Sequence, residues 1–404
     1  MRVLTKSKDW RQMGASCLIG FYIMYNVFLV PMGFFVPRLS ILVLLLAGGV
    51  TFSSMKVRLP NEYKLLIGFI IYSFITGFMF AYNSEVVIRQ TLFLFESVLS
   101  GIIILSVAKE ADNFRLIIGL FAIGSVLAAA YFFLNPGLLV SARLSFDEDF
   151  NSNTLGVMLM YGVWCIVFVL NCDKTSIVRS FLTIVLVLFV FFILVQTGSR
   201  KSVLGSLGIV FAFFLYLVLT GGGSSKKVYG LLVTGVIIGV IVFVYNHYLD
   251  SILEAANTFL YRMENIEGSE DDRTGLIIDS FRVFKEHPVF GVGLDNNRYY
   301  TIEKMYAHNS YVEILACTGI IGALLFFPIF GCMISFLFKG AKRIKGLLQN
   351  PSSYYICVLI LVYLLVCMTQ INIYNQTHMF ITYFLLTFIA TNSSVNEKKN
   401  NNAI

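Results

Sequence analysis

The chain has 404 residues, 57% of them hydrophobic and only 13% charged, with a mean hydropathy of +0.80. These values lie far outside the range of soluble globules and exclude a water-soluble enzyme of two or three domains. The net charge of +7 would point to nucleic acid in a soluble protein. In a membrane chain the position of each Lys and Arg matters more, and no nucleic-acid partner is expected.

A helix crossing the ~30 Å hydrocarbon core takes ~20 mostly apolar residues. The sequence lacks the alternating ten-residue pattern of an outer-membrane barrel, so its spans are expected to be helices. The first apolar run follows a basic start (Arg2, Lys6, Lys8, Arg11) and extends to about Val36, too long for a cleavable signal. It reads as a span at 14–36, followed by spans at 39–54, 64–82, 90–108, 114–134 and 153–171. Glu96 inside the fourth span and Asn153 at the start of the sixth would line a polar cavity or bond a neighbouring helix. Between them, the loop before the sixth span carries Arg143 and the acidic run Asp147, Glu148, Asp149, which reads as a solvated turn or a weak cation site.

Spans at 180–196 and 202–220 are joined by a short link holding two adjacent cations, Arg200 and Lys201. A tight Gly-Ser turn there would present both to a phosphate, the Arg in bidentate fashion; the alternative is snorkelling to lipid headgroups. Gly221 to Ser225 lacks phosphate-loop spacing and reads as a linker before a ninth span at 228–248.

The segment 249–309 is the one large piece outside the apolar runs. It is acidic, with 6 basic residues against 11 acidic ones. Leu249, Ile252, Leu253, Ala256, Phe259, Leu260 and Met263 recur at helical spacing, as do Leu276, Ile277, Ser280, Phe281 and Phe284. Both stretches predict amphipathic helices at the membrane interface. Arg273 opens the second, where a cation opposes the helix dipole, so a ligand or a salt bridge to Asp271 or Asp272 should hold it. Pro288, Gly291 and Gly293 then break the chain. His308, followed by Asn309, sits where the polar segment meets the next apolar run, with Glu313 just over a turn on. A neutral imidazole there would take a proton near pH 7; its alternative role is structural.

The last spans are expected at 310–338, 354–373 and 377–393, with a polar tail at 394–404 that looks disordered. Twelve spans with both termini cytoplasmic would put 19 of the 30 basic residues on the cytoplasmic side, as the positive-inside rule requires. The expected units are spans one to nine (1–248), an external segment (249–309), spans ten to twelve (310–393) and the tail. The seven cysteines show no CxxC spacing, and neither a metal site nor a disulfide framework is suggested.

Three segments carry a resemblance: QTGSRKS at 196–202, RTGLIIDSFRVFKEHPVFGVGLDN at 273–296, and AHNSYVEILACTGIIGALLFF at 307–327. Together with the layout, they resemble the O-antigen ligase and polysaccharide polymerase superfamily, membrane glycosyltransferases that act on undecaprenyl-diphosphate-linked glycans. The resemblance implies an all-α, type-C glycosyltransferase-like fold and an active site on the external face of the cytoplasmic membrane. It implies that Arg200 and Arg273 bind the donor diphosphate and that His308 activates the acceptor hydroxyl. Lys201, Asn309, Glu313 and Arg143 are further candidates for substrate contact. No cofactor or metal is required, because the leaving group is already activated. The expected partners are the lipid-linked donor, an acceptor glycan and membrane lipid, with a flippase and a chain-length regulator as candidates. Polymerase and ligase are both open, the polymerase being favoured, and a transporter or flippase is the reading from a different class.

Overall fold

The computed structural model of the protein describes residues 10–54, 59–108, 110–135, 151–173, 176–220 and 272–401, with positions 228 and 235 between the last two blocks. The described residues are helical almost throughout, and none is in a strand. In chain order the helices are α1 (Trp10–Met24), α2 (Leu39–Ser54), α3 (Asn61–Phe80), α4 (Ser84–Val107), α5 (Ala111–Leu134), α6 (Ser152–Asn171), α7 (Ile177–Gln196) and α8 (Arg200–Thr220). There follow α9 (Asp272–Glu286), α10 (Ser310–Phe326), α11 (Pro328–Lys342), α12 (Ile344–Gln349), α13 (Pro351–Cys367) and α14 (Gln376–Asn401). Side-chain oxygens of Asn83, Asn151, Ser176, Asn309 and Asn350 cap α4, α6, α7, α10 and α13. Each accepts from a backbone N–H of the first turn that the helix itself leaves unpaired.

Among the described residues, seven helices are long and apolar enough to cross a membrane: α1 with the π-turn that extends it, and α3 to α8. The pair α10 and α11 qualifies together but is bent by 48°, and α2 and α13 are shorter apolar helices. The chain is thus an all-α polytopic membrane protein. The ninth span at 228–248 apart from positions 228 and 235, the first amphipathic helix, Arg143, the run Asp147 to Asp149 and the Gly221 to Ser225 linker lie outside the described residues.

α6 forms the centre. It is buried almost all round, packing on α5, α7, α8 and α13. Trp164 donates its indole N–H to the Tyr355 carbonyl on α13 at 2.8 Å. Large apolar side chains that would be anomalous in water, such as Leu45, Phe78, Phe95, Phe181 and Leu204, stand exposed on the outer helices, as lipid-facing surfaces require. Glu96 settles as a helix-to-helix bond, accepting from the Tyr22 hydroxyl of α1 at 2.5 Å.

Three expectations need correction. The first span does not run to Val36: it ends in a π-turn, Tyr25–Leu29, because Pro31, Gly33 at φ 89° and Pro37 cannot continue a helix. The polar tail is not irregular, since the α14 backbone runs as helix to Asn401. Its Glu and Lys residues are good helix formers that extend a packed stem. The run 310–338 is not one straight helix, for the bend falls at Phe327 and Pro328 and a second break lies within α10 at Gly319 (φ 62°, ψ −167°).

That inner break is filled by the segment 288–293. In a continuous helix the Ile320 and Ile321 N–H groups would bond the carbonyls of Ala316 and Cys317. Instead Ile320 donates to Pro288 (2.8 Å) and Ile321 to Val289 (3.5 Å), while Val292 donates to Ala316 (3.1 Å) and Gly293 to Cys317 (2.8 Å). The Thr318 carbonyl accepts from the Tyr72 hydroxyl of α3 at 2.9 Å. These freed groups find partners within the protein, the condition under which irregular backbone is tolerated at membrane depth. Close approach demands glycine at two positions. A Cβ on Gly291 (φ 70°) would lie 2.4 Å from the Cys317 carbonyl carbon, and one on Gly319 would lie 2.3 Å from the Val289 oxygen.

Gly291→Ala or Gly319→Ala should therefore cost ~1–2 kcal/mol from backbone conformation alone, plus the displacement of a neighbouring main chain. Both are expected to lower the melting temperature of the detergent-purified protein by several degrees. Gly119→Ala on α5, where a Cβ meets nothing within 4 Å, should leave it unchanged; equal melting of all three would refute the clasp.

Candidate functional site

α9 delivers the chain to this clasp. Leu276, Ser280 and Val283, spaced i, i+4 and i+7, are its buried face, whereas Ile278 and Phe281 remain exposed. The amphipathic helix was expected from the sequence, but with Phe281 on the inner face; Val283 occupies that place and packs with Val292 and Ala316. Arg273 is the second residue of α9, where its backbone position is fixed by the helix.

Beyond Gly293 the loop 294–309 is built around two buried carboxylates. Glu313 of α10, fully buried, accepts from Asn297 Nδ2 at 3.0 Å, the Ala307 N–H at 2.9 Å and the Cys317 thiol at 3.3 Å. Its oxygens are engaged by the protein, so it holds the loop. Asp295 is also buried. It pairs with Arg298, accepts from Gln90 of α4 at 2.9 Å, and its N–H donates to the Tyr374 hydroxyl at 2.7 Å.

Arg298 was counted in the sequence only as one external cation, yet it lies at the centre of the loop. Burial opposes its charge, but Asp295 beside it leaves the guanidinium pKa above its ordinary value. The guanidinium carbon sits 5.7 Å from the centroid of the Tyr306 ring, a cation–π distance. The Tyr306 ring in turn lies 4.3 Å from that of His308. His308 is half-buried and takes φ 50°, a left-handed conformation that costs a non-glycine residue ~1–2 kcal/mol. Strain of this kind gathers at functional sites. Asn309 follows as the cap of α10, its Oδ1 accepting from the Tyr311 and Val312 N–H groups at 3.0 and 3.2 Å.

The turn between α7 and α8 is seated against α6. A Cβ on Gly156 would fall 2.7 to 2.9 Å from Ser199, Ser202 and Thr197, so the turn and α6 meet at the minimum possible distance. Gly198 takes φ 65°, Ser199 and Ser202 share a hydroxyl hydrogen bond of 2.8 Å, and both are buried. Arg200, the first residue of α8, is exposed.

These pieces meet on a loop that sequence reasoning passed over, residues 368–375 between α13 and α14. Lys201 donates to the Thr369 carbonyl (3.2 Å), Asn309 Nδ2 to that of Met368 (3.1 Å) and the Ser310 hydroxyl to that of Gln370 (2.6 Å). Tyr374 holds the Asp295 end of the loop 294–309. Behind it, buried Asn372 donates to the Tyr363 hydroxyl at 2.8 Å, and buried His378 contacts the Tyr161 hydroxyl at 3.0 Å. The only sequence signal for this loop was polar residues (Thr369, Gln370, Asn372, Asn375) between two apolar runs.

Glu313→Gln should separate the structural role of this carboxylate from a chemical one. A carboxamide offers one acceptor oxygen, so at least one of the donors now served loses its partner, at ~1–3 kcal/mol. The expected outcome is a lower melting temperature; an unchanged melt with lost activity would assign Glu313 to the chemistry.

No curated protein matches the chain. Residues 182–327 match the family model described as O-antigen ligase. The match runs from within α7 to the bend after α10 and includes the Arg200 turn, the Gly291–Gly319 clasp and His308. This segment is similar to the O-antigen ligase family, and the match supports the resemblance to the O-antigen ligase and polymerase superfamily.

Proposed function

We propose that the protein is a repeat-unit polymerase, transferring a glycan from a polyprenyl diphosphate, undecaprenyl diphosphate in the resemblance, to a sugar hydroxyl of an acceptor glycan. The observation that carries this reading is the meeting of the Arg200 turn and the His308 segment on one loop, through Lys201 on Thr369 and Asn309 on Met368. α9, whose second residue is Arg273, packs on the same α10 that His308 precedes.

In this reaction the acceptor oxygen attacks the anomeric carbon and the bond from that carbon to the diphosphate oxygen breaks, with inversion. His308 takes the hydroxyl proton. Negative charge grows on the departing diphosphate, and Arg200 and Arg273 stabilise it more in the transition state than in the bound donor, which is what lowers the barrier. Lys201 completes the cationic turn. Arg298, locked to Asp295 and stacked on Tyr306, is a positioning residue for the His308 ring. Asn309 orients the start of α10, and Arg143 stands as a further candidate for substrate contact.

The site faces the outside of the cytoplasmic membrane and both termini face the cytoplasm, on the strength of the distribution of Lys and Arg among the loops. A flippase that delivers the donor and a regulator of chain length are the partners such a reaction calls for. A ligase, moving the glycan to a different acceptor such as lipid A core, is the second reading, favoured by the description of the matched family.

Arg200→Ala, Arg273→Ala and His308→Ala are each expected to abolish long polymer in cells at normal protein level. Unchanged polymer length in all three would sink the proposal. Arg298→Gln should lower turnover at least tenfold with little change in donor KM, as expected for a residue that acts through His308. Purified protein in liposomes with lipid-linked glycan alone should yield products of many repeats; transfer only when a second acceptor is added would assign the ligase.

A further inference from the structure

At the opposite end of the same helices lies a cavity. α10 and α11 lead from the candidate site to Lys342, α3 leads from Asn61 back toward it, and α14 leads away from it toward Asn392. Where these ends gather, a cavity of about 1270 Å³ opens between α3, α11, α12 and α14. Its lining includes three cations, Lys339, Lys342 and Arg343, all exposed and none in an ion pair among the described residues. The acidic lining residue is Glu62, at the start of α3.

Gly331, Ser335 and Lys339 stand at i, i+4 and i+8 on α11, one face of a helix over ~12 Å. The small residues leave room beside that face, and Leu386 and Ile389 of α14 form an apolar side of the cavity. Cations and an apolar side in one cavity of a membrane protein fit a molecule with an anionic head and a hydrocarbon tail. The chain's own polar segments expected on this side carry Lys56, Arg58, Lys398 and Lys399 and would add to the positive charge, not neutralise it.

We infer that this cavity binds an anionic phospholipid, its phosphodiester on Lys339, Lys342 and Arg343 and its acyl chains against α11 and α14. On the topology proposed above, the lipid belongs to the cytoplasmic leaflet, the side remote from glycan transfer. The site does not depend on the identity of the transferred glycan.

The test uses the full chain, delipidated in an uncharged detergent, with bound lipid counted by native mass spectrometry. The wild type should retain short-chain phosphatidylglycerol and not phosphatidylcholine. At about fivefold per charge, K339Q/K342Q/R343Q should weaken retention roughly a hundredfold. Gly331→Phe keeps every charge and adds a ring where a Cβ meets nothing within 4 Å; it should exclude the lipid sterically while eluting as a monodisperse protein. Lys345→Gln, on the same connection but outside the cavity lining, should bind as wild type. Equal retention of phosphatidylcholine would overturn the inference, as would full phosphatidylglycerol binding by both cavity variants. So would displacement of the lipid by an equal concentration of inorganic phosphate, which would mark a free-anion site. Polymer formation is not the readout, so failure here leaves the transferase reading untouched.

Discussion

A helix interrupted inside a bilayer is tolerable only if every backbone group it releases is bonded elsewhere. In this protein the six residues from Pro288 to Gly293 supply those bonds to α10, exchanging two donors and two acceptors with it, and Tyr72 of α3 supplies one more. The exchange joins elements far apart in sequence and fixes where the chain leaves the clasp at Leu294. It also fixes where the chain must return, at Ser310. The loop that carries His308 is therefore stretched between two anchored ends.

That loop is held in an unrelaxed conformation. Asp295, Lys304 and His308 all adopt left-handed backbone angles without being glycine. The compensating interactions are buried: Glu313 beneath Asn297 and Ala307, Asp295 between Gln90, Arg298 and Tyr374. Two carboxylates that would be costly alone at this depth are each surrounded by donors, the condition under which buried charge is retained. The loop 368–375 closes the assembly from the other side through main-chain carbonyls, which bind Lys201, Asn309 and Ser310 without supplying any charge of their own.

The membrane class and the position of most helices were legible because apolar runs of ~20 residues have few other uses. The turn at Arg200 and the Pro288–Gly293 break were legible as punctuation. What the break does was not, since the partner of a freed carbonyl at Ala316 is an N–H twenty-four residues upstream, at Val292, and hydropathy carries no record of such pairing. Glu313 was read as a substrate contact because a carboxylate near a histidine invites chemistry; its three donors, which tie it to the loop, were not visible in the sequence. Arg298 was missed for the converse reason. A cation in an acidic loop looks solvated until Asp295 and Tyr306 are seen to enclose it. The hub at 368–375 offered only a few polar residues between two spans.

The order of synthesis gives the clasp a further meaning. Tyr72 and the Pro288–Gly293 segment both precede α10 in the chain, so the interrupted helix is the last of the three parts to emerge. Its carbonyls at Ala316, Cys317 and Thr318 take up their final partners against protein already made, and the loop 368–375, later still in the chain, closes the arrangement through Asn309 and Ser310.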